Sequence, residues 1–311
     1  FTNDILTAAN ITPSDVENKP YTEWSDGDKV KLDKYVQKFV SGKEEGKDVD
    51  FKAAMDNFLT AAKSVANSKY NEGKGATKQI KIINNLEDIK RVYYAQREPF
   101  VKNDNEVVID ENLYNFLEYA KELYPLTHKG AQWSDNWTAG MRAKNDPNTD
   151  HKTLSFFLPT WGLFYVLKND ETVGLWRMIE GPQAYYWGGS YLMIGAYSDK
   201  KDDAFEILDF LTSLPFMQAR SAFSGDVMNS KALNGALADM SRLDNPFLGN
   251  QNHFKIFNKL AEQIKADNVT KYDSAVDRVY ADIMRRYASG EGGFADADAA
   301  FDEFETTIKS N

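Results

Sequence analysis

The chain has no cysteine among its 311 residues, which excludes disulfides, thiolate nucleophiles and Cys-ligated zinc or iron–sulfur centres. Histidine is scarce as well. His128, His151 and His253 are far apart and lack ligand spacing, so neither a His-rich metal site nor a bound cofactor is expected. Positive charge is in deficit, with 37 Lys and Arg against 47 Asp and Glu and a net charge of −10. A nucleic-acid backbone needs clustered cations, so no nucleic-acid partner is expected. Long apolar runs are missing too. The nearest, Leu154 to Leu167, contains Pro159 and Gly162 and falls short of the roughly 18 residues that span a membrane. Dinucleotide-binding G-x-G-x-x-G, Walker, G-x-S-x-G and H-E-x-x-H motifs do not occur. The chain opens Phe1-Thr2-Asn3-Asp4 with no Met, basic n-region or apolar h-region. It reads as a chain that has lost a leader or as part of something longer.

Two superficial matches dissolve on inspection. Gly73-Lys74-Gly75-Ala76-Thr77-Lys78 has the wrong spacing for a phosphate loop and precedes its strand. Asp296-x-Asp298 resembles the start of a calcium loop, but Phe301 stands where the turn needs glycine, so the pair reads as a helix start. Three formal glycosylation sequons begin at Asn10, Asn136 and Asn268, a pattern that arises often by chance. The acidic pairs Glu44/Glu45, Asp202/Asp203 and Asp302/Glu303 lie in charge-rich stretches and read as solvated faces rather than as a glycosidase pair.

What the chain does have is apolar content, 42%, enough for a real core. Thr12-Pro13-Ser14-Asp15 reads as a helix start. Leu32, Tyr35, Val36, Phe39 and Val40 recur at helical spacing, as do Phe51, Met55, Phe58, Leu59 and Ala62. Short strands are predicted at 78–83, 107–109, 174–179 and 190–196, and a strand, turn and helix over 154–167. Helices are predicted over Leu113–Leu123, 202–211, 215–223, about 251–266, about 272–288 and from about 295. Strands mixed with helices give an α/β class with a helix-rich flank.

The outstanding local feature is aromatic. Nine aromatic residues fall between Phe156 and Trp187, where the overall 13% predicts about four, and Trp133 and Trp137 lie just upstream. Phe156, Phe157, Phe164 and Trp176 sit inside strand or helix patterns and read as core. Trp161, between Thr160 and Gly162 at a turn, and Trp187, before Gly188-Gly189, read instead as cleft-lining indoles. An indole offers a flat apolar platform to the C–H face of a sugar, while amides and carboxylates serve its hydroxyl rim.

Several stretches resemble the extracellular solute-binding proteins of bacterial ABC transporters, the maltose-binding-protein-like family 1. These are Leu154-Ser155-Phe156-Phe157-Leu158-Pro159-Thr160-Trp161, Gly174-Leu175-Trp176-Arg177-Met178-Ile179 and Trp187-Gly188-Gly189-Ser190-Tyr191-Leu192-Met193-Ile194. The helix Ser198 to Leu211 and Tyr287-Ala288-Ser289-Gly290 extend the resemblance, which covers about residue 78 to the end. It implies a periplasmic-binding-protein-like (type II) two-lobe architecture in which much of the N-terminal lobe is lacking. Residues 1–180 would be the first part of the second lobe, 181–231 a first-lobe segment with the hinge, and 232–311 C-terminal helices returning to the second lobe. It further implies non-catalytic binding of an oligosaccharide in an interlobe cleft. The expected setting is a monomer delivering ligand to ABC transporter permease subunits outside the cytoplasm, periplasmic or lipid-anchored at the cell surface. By position, the implied ligand-binding residues are Trp161, Trp187, Tyr186, Tyr185, Tyr93, Tyr94, Asp277 and Arg278. The alternatives are a glycan-acting enzyme, the same fold binding a non-sugar solute such as a peptide or polyamine, and a helical interaction fragment without a ligand.

Overall fold

The computed structural model describes residues 3–102, 106–142 and 152–310. It is helix-rich, with few and short strands. In chain order the helices are α1 (Asn3–Ala8), α2 (Pro13–Val16), α3 (Asp26–Ser41), α4 (Phe51–Ala66), α5 (Glu87–Tyr94), α6 (Glu111–Leu123), α7 (Asp135–Ala139), α8 (Lys201–Thr212), α9 (Leu214–Ser224), α10 (Lys231–Ala238), α11 (His253–Ala261), α12 (Asp273–Ser289) and α13 (Ala297–Lys309). The strands β1 (Ile80–Lys81) and β4 (Lys152–Thr153) pair in parallel, and β2 (Val101–Lys102) and β3 (Glu106–Val107) pair antiparallel.

Most helices start where a side-chain oxygen can satisfy a free backbone N–H. Asp50 accepts from Ala53 N (2.8 Å), Asp110 from Asn112 N (2.6 Å) and Asp296 from Ala299 N (2.9 Å). Thr12-Pro13 opens α2 with proline in the first turn. The main core lies where α4, α5, α6, α12 and α13 converge, around Phe58, Ile89, Phe116, Tyr280 and Phe304. Each such buried side chain contributes about 2–3 kcal/mol. Three smaller clusters flank it: Leu6, Ile11, Trp24 and Leu32 near the N-terminus, Trp137, Leu163 and Phe247 in the middle, and Leu233, Leu237 and Phe254 between α10 and α11. Phe156, Phe157, Phe164 and Trp176 all pack into or against these clusters, as expected.

Parallel pairing brings the middle of the chain onto the main core. Beyond β4 the ladder continues, with Leu154 N donating to Lys81 O (3.0 Å) and Ser155 N to Ile82 O (2.9 Å). The chain then turns at Thr160-Trp161 into a π-helical turn, Leu163–Leu167. Two strand expectations fail. Residues 176–179 are extended without a ladder, held instead by side chains: Gln251 brackets Met178 N and O, and the Arg177 guanidinium binds Asp33 and the carbonyls of Leu248 and Gly249. Residues 190–195 form no strand either and are mostly exposed, with no described segment paired to them. The same region leaves apolar side chains in solvent: no residue of α8 is buried, and Met193, Tyr197, Phe210 and Phe223 stand exposed.

Gly225 closes α9 in the left-handed region (φ 73°), and a Cβ there would lie 2.5 Å from Phe164 Cζ. Gly225→Ala therefore combines backbone strain with a clash and is expected to cost about 2 kcal/mol. A fall in the urea midpoint without a change in slope checks this.

Candidate functional site

The site grows from α5. This short helix spends its polar residues on three different neighbours, and each contact places a wall.

Asp88 points inward and is 0% exposed. It accepts from Trp137 Nε1 (3.0 and 3.1 Å to its two oxygens) and from Gln132 Nε2 (3.1 Å). Desolvation raises its carboxyl from 3.8 to about 7, against the opposing pull of those two donors. Gln132 and Trp137 bracket the turn that carries Trp133, whose backbone sits in the left-handed region (φ 69°), an uncommon conformation for a bulky residue. Ser134 completes the anchoring by capping α7 through Trp137 N (3.2 Å).

Held this way, Trp133 is 49% exposed and stacks on Trp161, itself 37% exposed, with ring centroids 5.8 Å apart and planes 18° apart. On its other side Trp133 meets Trp187 edge-on at 6.4 Å. Trp187 in turn packs on Tyr185 at 6.1 Å, and Tyr185 donates to Leu158 O (3.3 Å). A row of three indoles results, Trp161–Trp133–Trp187, backed by Trp137 and Tyr185. Trp161 and Trp187, 26 residues apart in sequence, are joined among the described residues through Trp133.

The second contact of α5 is Arg91, whose guanidinium lies 4.3 Å from the Trp187 ring centroid. Beside it opens a cavity of about 300 Å³, lined by Tyr94, Tyr186, Trp187, Asn268, Thr270 and the α12 residues Asp273 and Asp277. That volume is at the small end for ligand pockets and suits one or two sugar rings. Trp187 belongs to both the indole row and the cavity lining.

The third contact is Lys90, 3% exposed, which binds Asp277 Oδ1 (2.6 Å) and Glu87 Oε2 (2.8 Å). Tyr94 Oη donates to the same Asp277 oxygen (2.6 Å). Burial alone would raise the Asp277 carboxyl, but Lys90, Tyr94 and Arg91 together hold it below the usual carboxylate value. Arg97 pairs with Asp273, and Asn268 Nδ2 donates to the Tyr94 and Arg97 carbonyls (3.1 Å each), which ties the 268–273 segment to the end of α5.

Of the residues expected from the sequence, Trp161, Trp187, Tyr185 and Tyr186 are brought together, and Tyr94 and Asp277 reach the adjoining cavity. Tyr186 shares a hydrogen bond with Tyr191 (2.9 Å between hydroxyls). Tyr93 goes elsewhere: it is buried against Phe51, Phe116 and Tyr119, because its position on α5 faces the bundle. Arg278 follows Asp277 on α12, is exposed, and does not line the cavity. Sequence reasoning passed over Asp88, Arg91, Asn268 and Asp273, and did not place Trp133 among the site residues. Trp133 had a usable signal, a tryptophan in a polar stretch just before a serine helix cap. His151 lies outside the described residues; His128 binds Lys152 O and His253 binds Gly225 O, both in structural roles. Among the described residues no group of three or more His, Asp and Glu could hold a metal, and no helix is long and apolar enough to cross a membrane.

No family profile, no curated protein and no solved structure matches the chain.

Proposed function

We propose that this protein binds an oligosaccharide, without catalysis, along the indole row and into the adjoining cavity. The carrying observation is the row itself: Trp133 and Trp161 lie nearly parallel and remain 49% and 37% exposed. Indoles that merely filled a core would be buried. Instead, a strained backbone at Trp133, anchored by Asp88, holds its exposed indole against Trp187, which lines the cavity. Such a face suits successive sugar rings, each lying its C–H side on an indole.

The carboxylates favour binding over hydrolysis. A glycosidase acid needs a raised pKa at the cleft surface. Asp277 is depressed and engaged by Lys90 and Tyr94, Asp273 is engaged by Arg97, and Asp88 is raised but sealed beneath the indoles. The larger setting follows the family resemblance: a type II two-lobe receptor outside the cytoplasm that passes its ligand to an ABC permease, with 181–231 belonging to the other lobe. The apolar side chains that 190–223 leave in solvent support that assignment.

Trp161→Ala and Trp133→Ala are each expected to weaken oligosaccharide binding about tenfold, with unchanged far-UV circular dichroism. Calorimetry against a panel of neutral and acidic oligosaccharides, with tryptophan fluorescence as a second readout, tests this. Failure of every saccharide to bind the parent protein would overturn the reading.

A further inference from the structure

The cavity beyond Trp187 is lined by three cations, Arg91, Arg97 and Lys265, and two carboxylates, Asp273 and Asp277. Both carboxylates are already answered, Asp273 by Arg97 and Asp277 by the buried Lys90 just behind the wall. Arg91 and Lys265 are not. Neither forms an ion pair or a side-chain hydrogen bond with any described residue; Arg91 has the Trp187 ring beneath it and influences Asp277 only through space. A cation–π contact uses none of the guanidinium's N–H groups as a hydrogen bond to an acceptor atom, and those groups match a carboxylate in two-pronged geometry. The Ser274 hydroxyl, also on the lining, has no described partner and can serve a ligand hydroxyl. A chain of net charge −10 thus gathers two unanswered cations around one small cavity beside its aromatic platform.

Resting on the oligosaccharide reading above, we propose that the ligand is acidic: a uronate-bearing oligosaccharide whose carboxylate sits on Arg91, within the field of Lys265, while its neutral rings lie along Trp187, Trp133 and Trp161. A neutral sugar over Arg91 would take water from its guanidinium and return no charged partner, while the exposed Lys265 would stay in solvent. The uronate carboxylate replaces the lost water with a charge-assisted hydrogen bond.

The test is calorimetric titration with an oligogalacturonate, its methyl ester, a neutral oligosaccharide panel and a sulfated oligosaccharide of matched length. The acid is expected to bind about 10- to 100-fold more tightly than its methyl ester, with an advantage that shrinks as salt rises. Arg91→Gln should erase most of that preference and Arg91→Lys only part of it, since lysine keeps the charge but loses the planar fork. Lys265→Gln, on an exposed residue that poses no threat to folding, should reduce the preference about threefold. Methyl ester and acid binding equally would overturn this inference and leave the oligosaccharide reading standing. Tighter binding of the sulfated sugar would overturn the uronate assignment, and absence of binding by every saccharide would overturn both.

Discussion

Asp277→Ala is expected to destabilise the protein by about 3–4 kcal/mol, a large share of a typical total of about 5–15. The wild-type carboxylate is only 29% exposed and accepts from two groups at once, Lys90 Nζ and Tyr94 Oη, each at 2.6 Å. Removing it leaves Lys90, 3% exposed, with Glu87 as its remaining carboxylate, and leaves the part-buried Tyr94 hydroxyl without its acceptor. The pair also joins α5 to α12, so its loss loosens the cavity wall. Replacing both ends by apolar residues of similar size, Lys90→Met with Asp277→Leu, should recover part of the stability, because it removes the buried ammonium that Asp277→Ala leaves with Glu87 alone. Urea denaturation at pH 7 checks both. The Asp277 contribution is present above the usual carboxylate pKa and is lost as pH falls through its depressed folded value, so pH 7 is well inside its range. A parent-like midpoint for Asp277→Ala would show that the carboxylate is not holding the two helices.

The second large effect has the opposite sign. Asp88 keeps its proton up to about pH 7 in the folded state, against 3.8 as its ordinary value. Between those values the folded chain holds a proton that the unfolded chain has released, so stability falls as pH rises through the window and levels off above it. The span corresponds to about 4 kcal/mol. Asp88→Asn, which cannot ionise, should flatten this slope: closest to the parent, or below it, at pH 4 and relatively more stable at pH 8. Midpoints measured every half unit from pH 4 to 8 test it. An equal slope in parent and variant would mean that Asp88 is already ionised in the folded state at low pH. Because Asp88 holds Gln132 and Trp137, the same titration should be visible in the fluorescence of the indole row.

Local structure was largely legible. Asp296 and Thr12-Pro13 were read as helix starts and are so, because caps and first-turn prolines act within three or four residues. Helices with a clear apolar stripe, such as α4, α6 and α12, were found for the same reason. Strands were less legible. The stretch 190–196 has the apolar run of a buried strand, but a strand exists only with a neighbour, and no described segment supplies one. The stretch 174–179 was misread differently: Gln251 meets the N–H and C=O of Met178 in place of a ladder, and the Arg177 side chain ties the segment to Asp33 and to the Leu248 and Gly249 carbonyls.

At the site, adjacency on the chain was a poor guide. Tyr93 and Tyr94 were expected to act together, yet successive helix residues point about 100° apart, so one entered the core and the other the cavity. The aromatic excess and the turn positions of Trp161 and Trp187 were enough to single out the indoles by sequence alone, since glycine, proline and residue size are local properties. That these two meet through Trp133, that Asp88 anchors the turn beneath them, and that Arg91 lies on Trp187 beside a cavity with no ion-pair partner among the described residues were decided by tertiary structure. Each depends on where α5, α12 and the parallel β1–β4 pairing bring distant segments together, and on burial, which no residue carries in its own identity.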